Sequence, residues 1–219
     1  MIVTIDGPAG TGKSTVARIL ADRLGFQFLD TGSMYRMIAD RAIHFEIAPE
    51  DWPAVEQLVT ECRMELVDGI ILLNGENVSD RLRTSEVTRV ASLVAQIPRV
   101  RELLVQRQRE IADSNNIVCE GRDQGTVAFP HAECKFFLTA QADERARRRQ
   151  MELKLQGQTV DFQVLRQEQM LRDQRDAERE VAPLRPAADA IIIDTTSLTL
   201  PEVVQLLHET IQCRKPHSL

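Results

Sequence analysis

The sequence predicts an α/β fold: a three-layer αβα arrangement around a five-stranded parallel sheet, with a small antiparallel β insert and a separate charged helical stretch. Two observations carry this. Short apolar, β-branched runs at residues 2–5, 26–29, 117–119, 136–138 and 191–193 alternate with segments whose apolar residues recur at helical spacing. Strands that are apolar throughout are buried on both faces, which requires helices above and below a parallel sheet. At 219 residues, 43% hydrophobic and 27% charged, the chain suits one domain with small inserts and excludes wholesale disorder.

The elements follow in order. After the first strand, Val16, Ala17, Ile19, Leu20 and Leu24 place a helix over residues 13–24, and a second helix spans 33–45. Residues 61–80 break the pattern: strand-like runs at 62–67, 70–73 and 76–78 are divided by Asp68-Gly69 and Asn74-Gly75, dipeptides that tolerate positive φ in hairpin turns. Helices are expected over about 84–95, 98–112 and 201–213, the last opening at Pro201 after Thr199. Residues 141–180 carry 9 basic and 9 acidic side chains, so their bulk charge is zero, and Gly157 divides them into two helical runs. A frayed tail is expected from about Arg214. No internal repeat or low-complexity linker is visible.

No apolar run approaches the ~18–20 residues of a membrane span. The chain enters its first strand without a charged leader or signal-type apolar core, so a cytoplasmic location is expected. Cys62, Cys119, Cys134 and Cys213 lack zinc-type spacing and are expected as reduced, mostly buried thiols. A net charge of −6 and 4% aromatic residues argue against a nucleic-acid partner, which needs a basic face and stacking platforms. The basic residues are skewed, 23 Arg to 4 Lys, as suits planar forks that hold phosphate or carboxylate, although a GC-rich genome gives the same bias.

Gly7-Pro8-Ala9-Gly10-Thr11-Gly12-Lys13-Ser14-Thr15 completes the pattern G-x-x-x-x-G-K-[ST], between a strand and a helix. The glycines let backbone N–H groups point at phosphate oxygens, and the helix N-terminus adds a positive dipole end. Lys13 is placed to bridge the β- and γ-phosphates of ATP, and the Ser14 hydroxyl to ligate Mg²⁺. GTPases add an Asn-Lys-x-Asp run, which does not occur here.

Three further segments narrow the reading: Asp30-Thr31-Gly32-Ser33-Met34-Tyr35-Arg36, Glu120-Gly121-Arg122-Asp123-Gln124-Gly125-Thr126, and Arg172-Asp173-Gln174-Arg175-Asp176 leading to Arg179 and Val181-Ala182-Pro183-Leu184. With the phosphate loop, and from residue 2 to about 212, the chain resembles the bacterial cytidylate kinases, P-loop nucleoside monophosphate kinases that phosphorylate CMP and dCMP. The resemblance implies a single P-loop kinase unit over residues 1–219. Its core would be residues 1–31, 96–140 and 186–213, its acceptor-nucleotide region about 32–95, and its helical lid about 141–180.

Site roles follow from the resemblance. Arg36 and Arg122 correspond to clamps on the acceptor phosphate, and Thr31 to a hydroxyl that helps hold the acceptor, a plain N-cap being the alternative. Asp123 corresponds to the base reader; an ionised carboxylate only accepts, which matches the N4 amine of cytosine and opposes the carbonyl of uracil. Ser92 and Arg101 correspond to contacts with the O2 and N3 acceptors of the base. Arg172 and Asp176 correspond to ribose contacts, Arg179 to the acceptor phosphate and Arg175 to the transferring group. Arg172, Arg175 and Arg179 fall at i, i+3 and i+7 on a helix, where like charges repel unless an anion lies between them; a solvated face neutralised by Asp173, Glu178 and Glu180 is the alternative. In the lid, Arg145 and Arg149 are assigned to the donor nucleotide or the transferring phosphoryl, with a charged surface helix as the alternative. Glu120 joins Ser14 as a magnesium residue; being longer than the Asp of some relatives, it suits contact through water better than direct ligation.

The expected reaction is transfer from Mg-ATP to CMP or dCMP by a monomer, catalysed by Lys13, Arg122, Arg175 and Arg179 without a general base, since His44, His131, His208 and His217 lie outside every motif. Three competitors remain: a kinase for UMP, dTMP or shikimate, an ATP-switched binding module without catalysis, and a nucleic-acid-binding ATPase. A panel of acceptors separates the first two, and the acidic balance opposes the third.

Overall fold

A computed structural model describes residues 1–67, 69–113, 115–155 and 157–214. Five strands form one parallel sheet: β1 (Ile2–Asp6), β2 (Gln27–Asp30), β5 (Ile117–Gly121), β6 (Cys134–Thr139) and β7 (Ile191–Asp194), in the order β2-β5-β1-β6-β7. A two-stranded antiparallel ribbon, β3 (Met64–Val67) with β4 (Ile70–Leu73), forms a second sheet that is not hydrogen-bonded to the first. The helices are α1 (Lys13–Leu24), α2 (Thr31–His44), α3 (Trp52–Glu61), α4 (Ser85–Val94), α5 (Pro98–Ala112), α6 (Ala142–Leu155), α7 (Phe162–Glu178) and α8 (Leu200–Arg214), with a π-helical turn at Gln124–Ala128.

The strand period of two divides the apolar residues between two cores. Val3, Ile5, Phe28, Val118, Phe136, Leu138 and Ile193 pack with Val16 and Leu20 of α1 and Val203, Leu207 and Ile211 of α8. Leu29, Ile117 and Cys119 point the other way, into a core with Met34 and Ile38 of α2, Val55 of α3, Val90 and Val94 of α4, and Leu104 of α5. These two cores, one per face, are the three layers the sequence predicts.

Parallel pairing aligns the carboxyl ends of the strands. Asp6 stands level with Gly121 and Phe137, and Asp30 with Glu120. The chain leaves central β1 for β2 on one side and later adds β6 and β7 on the other, so the carboxyl edge around β1 is the crevice where ligands bind in open α/β sheets.

Several boundaries differ from expectation. The second strand starts at Gln27 rather than residue 26, because the Phe26 amide is taken by the Ala21 carbonyl at the end of α1. Residues 76–78 form no strand. Asn74 and Gly75, at φ 51° and 82°, make the expected turn, but only Leu73 and Glu76 bridge across it. Val78 and Leu82 then turn into the core, where burying apolar surface outweighs extending an exposed ribbon. In the Asp68-Gly69 turn, Asp68 lies outside the described residues, as does the tail beyond Arg214; Arg214 itself still belongs to α8. The sequence reading had no helix at α3, although Asp51 caps it by accepting from the Ala54 amide (3.2 Å) and Pro53 stands in its first turn. Among the described residues, no helix is long and apolar enough to cross a membrane, and Cys62, Cys119 and Cys134 are free and buried while Cys213 is free and exposed.

Candidate active site

The phosphate loop leaves β1 at Gly7. A Cβ there would lie 2.1 Å from the Leu138 carbonyl oxygen, so only glycine lets the loop pass over β6. Gly10 and Gly12 take φ 79° and 83°, and Gly12 is the N-cap of α1 with no side chain closing the helix end. The first amides of α1 are thus left for an anion. Lys13 is buried and donates to the Pro8 carbonyl (3.1 Å), with Glu120 4.0 Å away. Burial, then the positive charge of Arg122, pull its pKa down to about 7. Thr11 donates to the Pro8 carbonyl (3.1 Å), which tightens the loop.

Ser14 donates to Glu120 Oε1 (2.8 Å), while Glu120 Oε2 is buried without a hydrogen-bond partner. Burial raises the Glu120 pKa, and the charge of Asp30 on the next strand raises it further. Burial works against ionisation of Asp30 as well, yet Arg36 and Ser33 hold its carboxyl down at about 2. A hydroxyl, a buried carboxylate oxygen without a partner and a second carboxylate beside it form a donor set suited to a hard divalent cation that keeps most of its waters.

Five guanidinium groups line the same edge. Arg36 of α2 donates to Asp30 (2.8 Å) and Ser33 (2.8 Å). Arg122, just after β5, donates from Nε to Asp176 of α7 (2.9 Å). Arg172, one turn earlier on α7, has its pKa lowered to about 10 by burial and then by Arg122 and Arg36. Arg179, beyond the end of α7, donates to the Asp176 carbonyl (3.3 Å) and feels Arg101 after burial in the lowering of its own pKa. Arg101 of α5 pairs with Asp123, donates to the Ala95 carbonyl (3.1 Å) and lies 5.5 Å from the Tyr35 ring centre.

Of the eleven buried side-chain atoms that lack a hydrogen-bond partner among the described residues, five sit on predicted site residues: Arg36 Nε, Ser92 Oγ, Arg101 Nε, Glu120 Oε2 and Arg179 Nη2. Buried polar groups are normally satisfied, so this concentration marks a surface built for a polar ligand.

Other assigned residues stand differently. Asp30 caps α2 by accepting from the Ser33 amide (2.9 Å), so Thr31 is not the cap. The buried Thr31 hydroxyl donates instead to the Glu120 carbonyl (2.7 Å) and ties α2 to β5. Arg175 is exposed, whereas Arg172 and Arg179 are half-buried. At 3.6 residues per turn the inward face of α7 runs through Leu165, Gln169, Arg172, Asp173 and Asp176, and Arg175 lies at its solvent edge beside Arg172. On α6, Arg145 donates to the Ala9 carbonyl (2.9 Å) and the Ala140 carbonyl (3.1 Å) and pairs with Asp173, which also accepts from the Ala9 amide (3.3 Å). Arg149 pairs with Glu152 on its own helix (2.8 Å). Arg148, given no role from the sequence, reaches the loop region, donating to the Thr195 carbonyl (2.6 Å) and hydroxyl (3.0 Å).

The sequence reading also passed over Asp6. Its buried carboxylate accepts from the amides of Gln124 (2.9 Å) and Gly125 (2.8 Å). Burial pushes its pKa up to about 7 although those amides pull it down. The only available signal was a carboxylate ending an apolar strand, which reads equally well as a turn residue.

Residues 3–213 match the cytidylate kinase family model. Curated cytidylate kinases are similar over nearly their whole length: that of Vibrio cholerae serotype O1 is 48% identical, covering 93% of this chain and 92% of the relative. That of Caldicellulosiruptor bescii is 46% identical over 94% and 93%, and that of Carboxydothermus hydrogenoformans 45% identical over 96% and 97%. Among solved structures, a shikimate kinase from Bacteroides thetaiotaomicron shares the fold with a TM-score of 0.50 at 16% identity, covering 97% of this chain and 98% of that one. An uncharacterised protein from Eubacterium ventriosum does so with a TM-score of 0.53 at 12% identity, over 97% and 98%. With the loop, the acidic pair and the arginine cluster gathered at one sheet edge, and a family model matched from the first strand to the last helix, the chain belongs to the cytidylate kinase family.

Proposed function

We propose that the chain transfers the γ-phosphoryl group of ATP to the phosphate of CMP or dCMP, giving ADP and CDP or dCDP. The observation that carries this is electrostatic. Arg122 and Arg172 of the clamp both lower the proton affinity of Lys13 in the phosphate loop, so the two cationic sites adjoin. Two phosphate groups set end to end are the natural counter-charge.

The roles follow from position. The loop amides and Lys13 hold the donor phosphates. Arg36, Arg122 and Arg179 hold the acceptor phosphate, Arg172 and Asp176 the ribose, and Ser92, Arg101 and Asp123 the base. Arg145 acts on the donor side through its grip on the loop, while Arg149 and Arg175 would join only after the lid rearranges. Ser14 and Glu120 are the residues that would hold Mg²⁺, which neutralises charge on the β- and γ-phosphate oxygens when bound. The acceptor needs no general base, because a phosphate monoester with a second pKa near ~6 is largely dianionic at neutral pH. Catalysis is then positioning plus cationic stabilisation of a loose transition state. Closure of the lid, residues 141–180, over the acceptor region, residues 32–95, excludes water that would otherwise take the phosphoryl group. We further propose a cytoplasmic monomer without a nucleic-acid partner, as the three buried free thiols and the net charge of −6 suggest.

A coupled ADP-release assay with CMP, dCMP, UMP, AMP and no acceptor tests the proposal. Turnover should require CMP or dCMP. Equal turnover with UMP, or ADP release independent of any acceptor, would overturn it.

A further inference from the structure

Asp123 is the N-cap of the π-helical turn Gln124–Ala128, yet its side chain makes no capping hydrogen bond. An aspartate at an N-cap ordinarily folds its carboxylate back onto the amides that follow. Here the first two of those amides are already taken: Gln124 N and Gly125 N donate to the two oxygens of Asp6, reaching across from the end of β1. The Asp123 carboxylate is left free to leave its own turn and pair with Arg101.

We propose that Asp6 is a positioning residue for acceptor recognition, capping the turn in place of Asp123 so that the Asp123 carboxylate faces the base pocket.

Three features make Asp6 a fixed support rather than an incidental contact. Its backbone lies in the sheet, level with Gly121 on one side and Phe137 on the other. The turn sits hard against it: a Cβ on Gly125 would meet Thr4 Oγ1 at 3.0 Å, Lys135 Cδ at 3.3 Å and Asp6 Oδ2 at 3.4 Å. The far end of the turn is held separately, by Arg109 donating to the carbonyls of Val127 (2.9 Å) and Ala128 (2.9 Å). Asp6 and Arg109 therefore grip the amide end and the carbonyl end of one short element. Loss of the Asp6 carboxylate leaves two buried amides unsatisfied, and the Asp123 carboxylate, at the N-cap of the same turn, is the group an N-cap aspartate would offer them. That side chain then turns inward, away from Arg101 and the base. Asp6 also precedes Gly7 directly, so the strand that launches the phosphate loop sets the acceptor reader as well.

The inference rests on the proposed CMP acceptor, and its test separates the two. Wild type, Asp6→Asn, Asp123→Ala and the double variant are compared with CMP and UMP at saturating ATP, and KM for ATP is measured for each. Asp6→Asn keeps the shape of the side chain but replaces one acceptor with a donor. It should lower the CMP-to-UMP ratio of kcat/KM by about tenfold, the scale of one lost buried hydrogen bond, chiefly through KM for CMP. KM for ATP should stay within about twofold, because the loop amides are untouched. In the Asp123→Ala background the Asp6 substitution should leave that ratio where it stands, as expected for two residues acting through one group. An unchanged ratio in Asp6→Asn, or an equal further fall in the Asp123→Ala background, would overturn the inference. Wild type that ignores CMP would instead overturn the acceptor assignment itself.

Discussion

Arg122 and Asp176 meet at 2.9 Å, and this pair joins the end of β5 to helix α7. Asp176 is also the nearest counter-charge for Arg172 and Arg179, and together these arginines keep its carboxyl ionised despite burial. One carboxylate thus serves three guanidinium groups. Asp176→Asn should destabilise the nucleotide-free protein by about 3 kcal/mol, the usual scale for a buried pair losing one partner. CMP, supplying an anion to the same arginines, should raise the melting temperature of the variant more than that of wild type. Equal shifts in a thermal melt would argue that Asp176 does not hold the cluster together.

Lys13 is a looser case, a buried cation whose nearest carboxylate among the described residues is Glu120, 4.0 Å away. Lys13→Met should reduce kcat by about 10³-fold or more, the scale of lost charge stabilisation in phosphoryl transfer. It should lower the melting temperature only modestly, because a buried charge is removed while Glu120, 4.0 Å away, loses its counter-charge. Steady-state turnover and calorimetry on the same sample test both halves.

The Lys13 pKa of about 7 gives donor binding a defined pH dependence. ATP phosphates favour the charged amine and raise its pKa on binding. Below pH 7 Lys13 is already protonated and binding takes up little; above pH 7 each binding event must draw a proton from solvent. Affinity should therefore fall as pH rises through 7 and 8, approaching tenfold per unit at the steepest. Titration calorimetry in two buffers of different ionisation enthalpy should show proton uptake near one at pH 8.5 and near zero at pH 5.5. A flat profile would mean that Lys13 is charged throughout.

Asp123→Ala should raise KM for CMP and erode preference over UMP by one to two orders of magnitude, the size of a matched polar contact to a base edge. The buried Arg101 loses its counter-charge as well, so Tm should also fall, and the CMP-to-UMP ratio is the readout that separates base reading from stability. The same loss of kcat/KM for both acceptors would count against Asp123 as the base reader.

Much of this was legible in the sequence, for identifiable reasons. The loop from Gly7 to Ser14 is contiguous and its geometry demands glycine and lysine at fixed steps, so spacing alone reveals it. The five strands announce themselves by apolar, β-branched runs because both sheet faces are covered. What stayed hidden depends on contacts between distant segments. The reach from Asp6 to the Gln124 and Gly125 amides spans more than a hundred residues. The spacing of Arg145, Arg148 and Arg149 gives no sign that Arg148 would meet Thr195 while Arg149 turned to Glu152. The helical wheel of α7 sets Arg175 beside Arg172, and only the burial of Gln169 and Asp176 and the contact of Asp173 with the Ala9 amide show that Arg175 falls on the solvent edge.

The sheet separates the two halves of the chemistry. Lys13 and Ser14 ride on α1, anchored in one apolar layer, whereas Arg36, Ser92 and Arg101 ride on α2, α4 and α5 in the other. Substitutions that reshape the second layer can therefore alter which nucleobase is admitted without disturbing the grip on the triphosphate. A lineage built on this scaffold is free to change its diet while keeping its fuel.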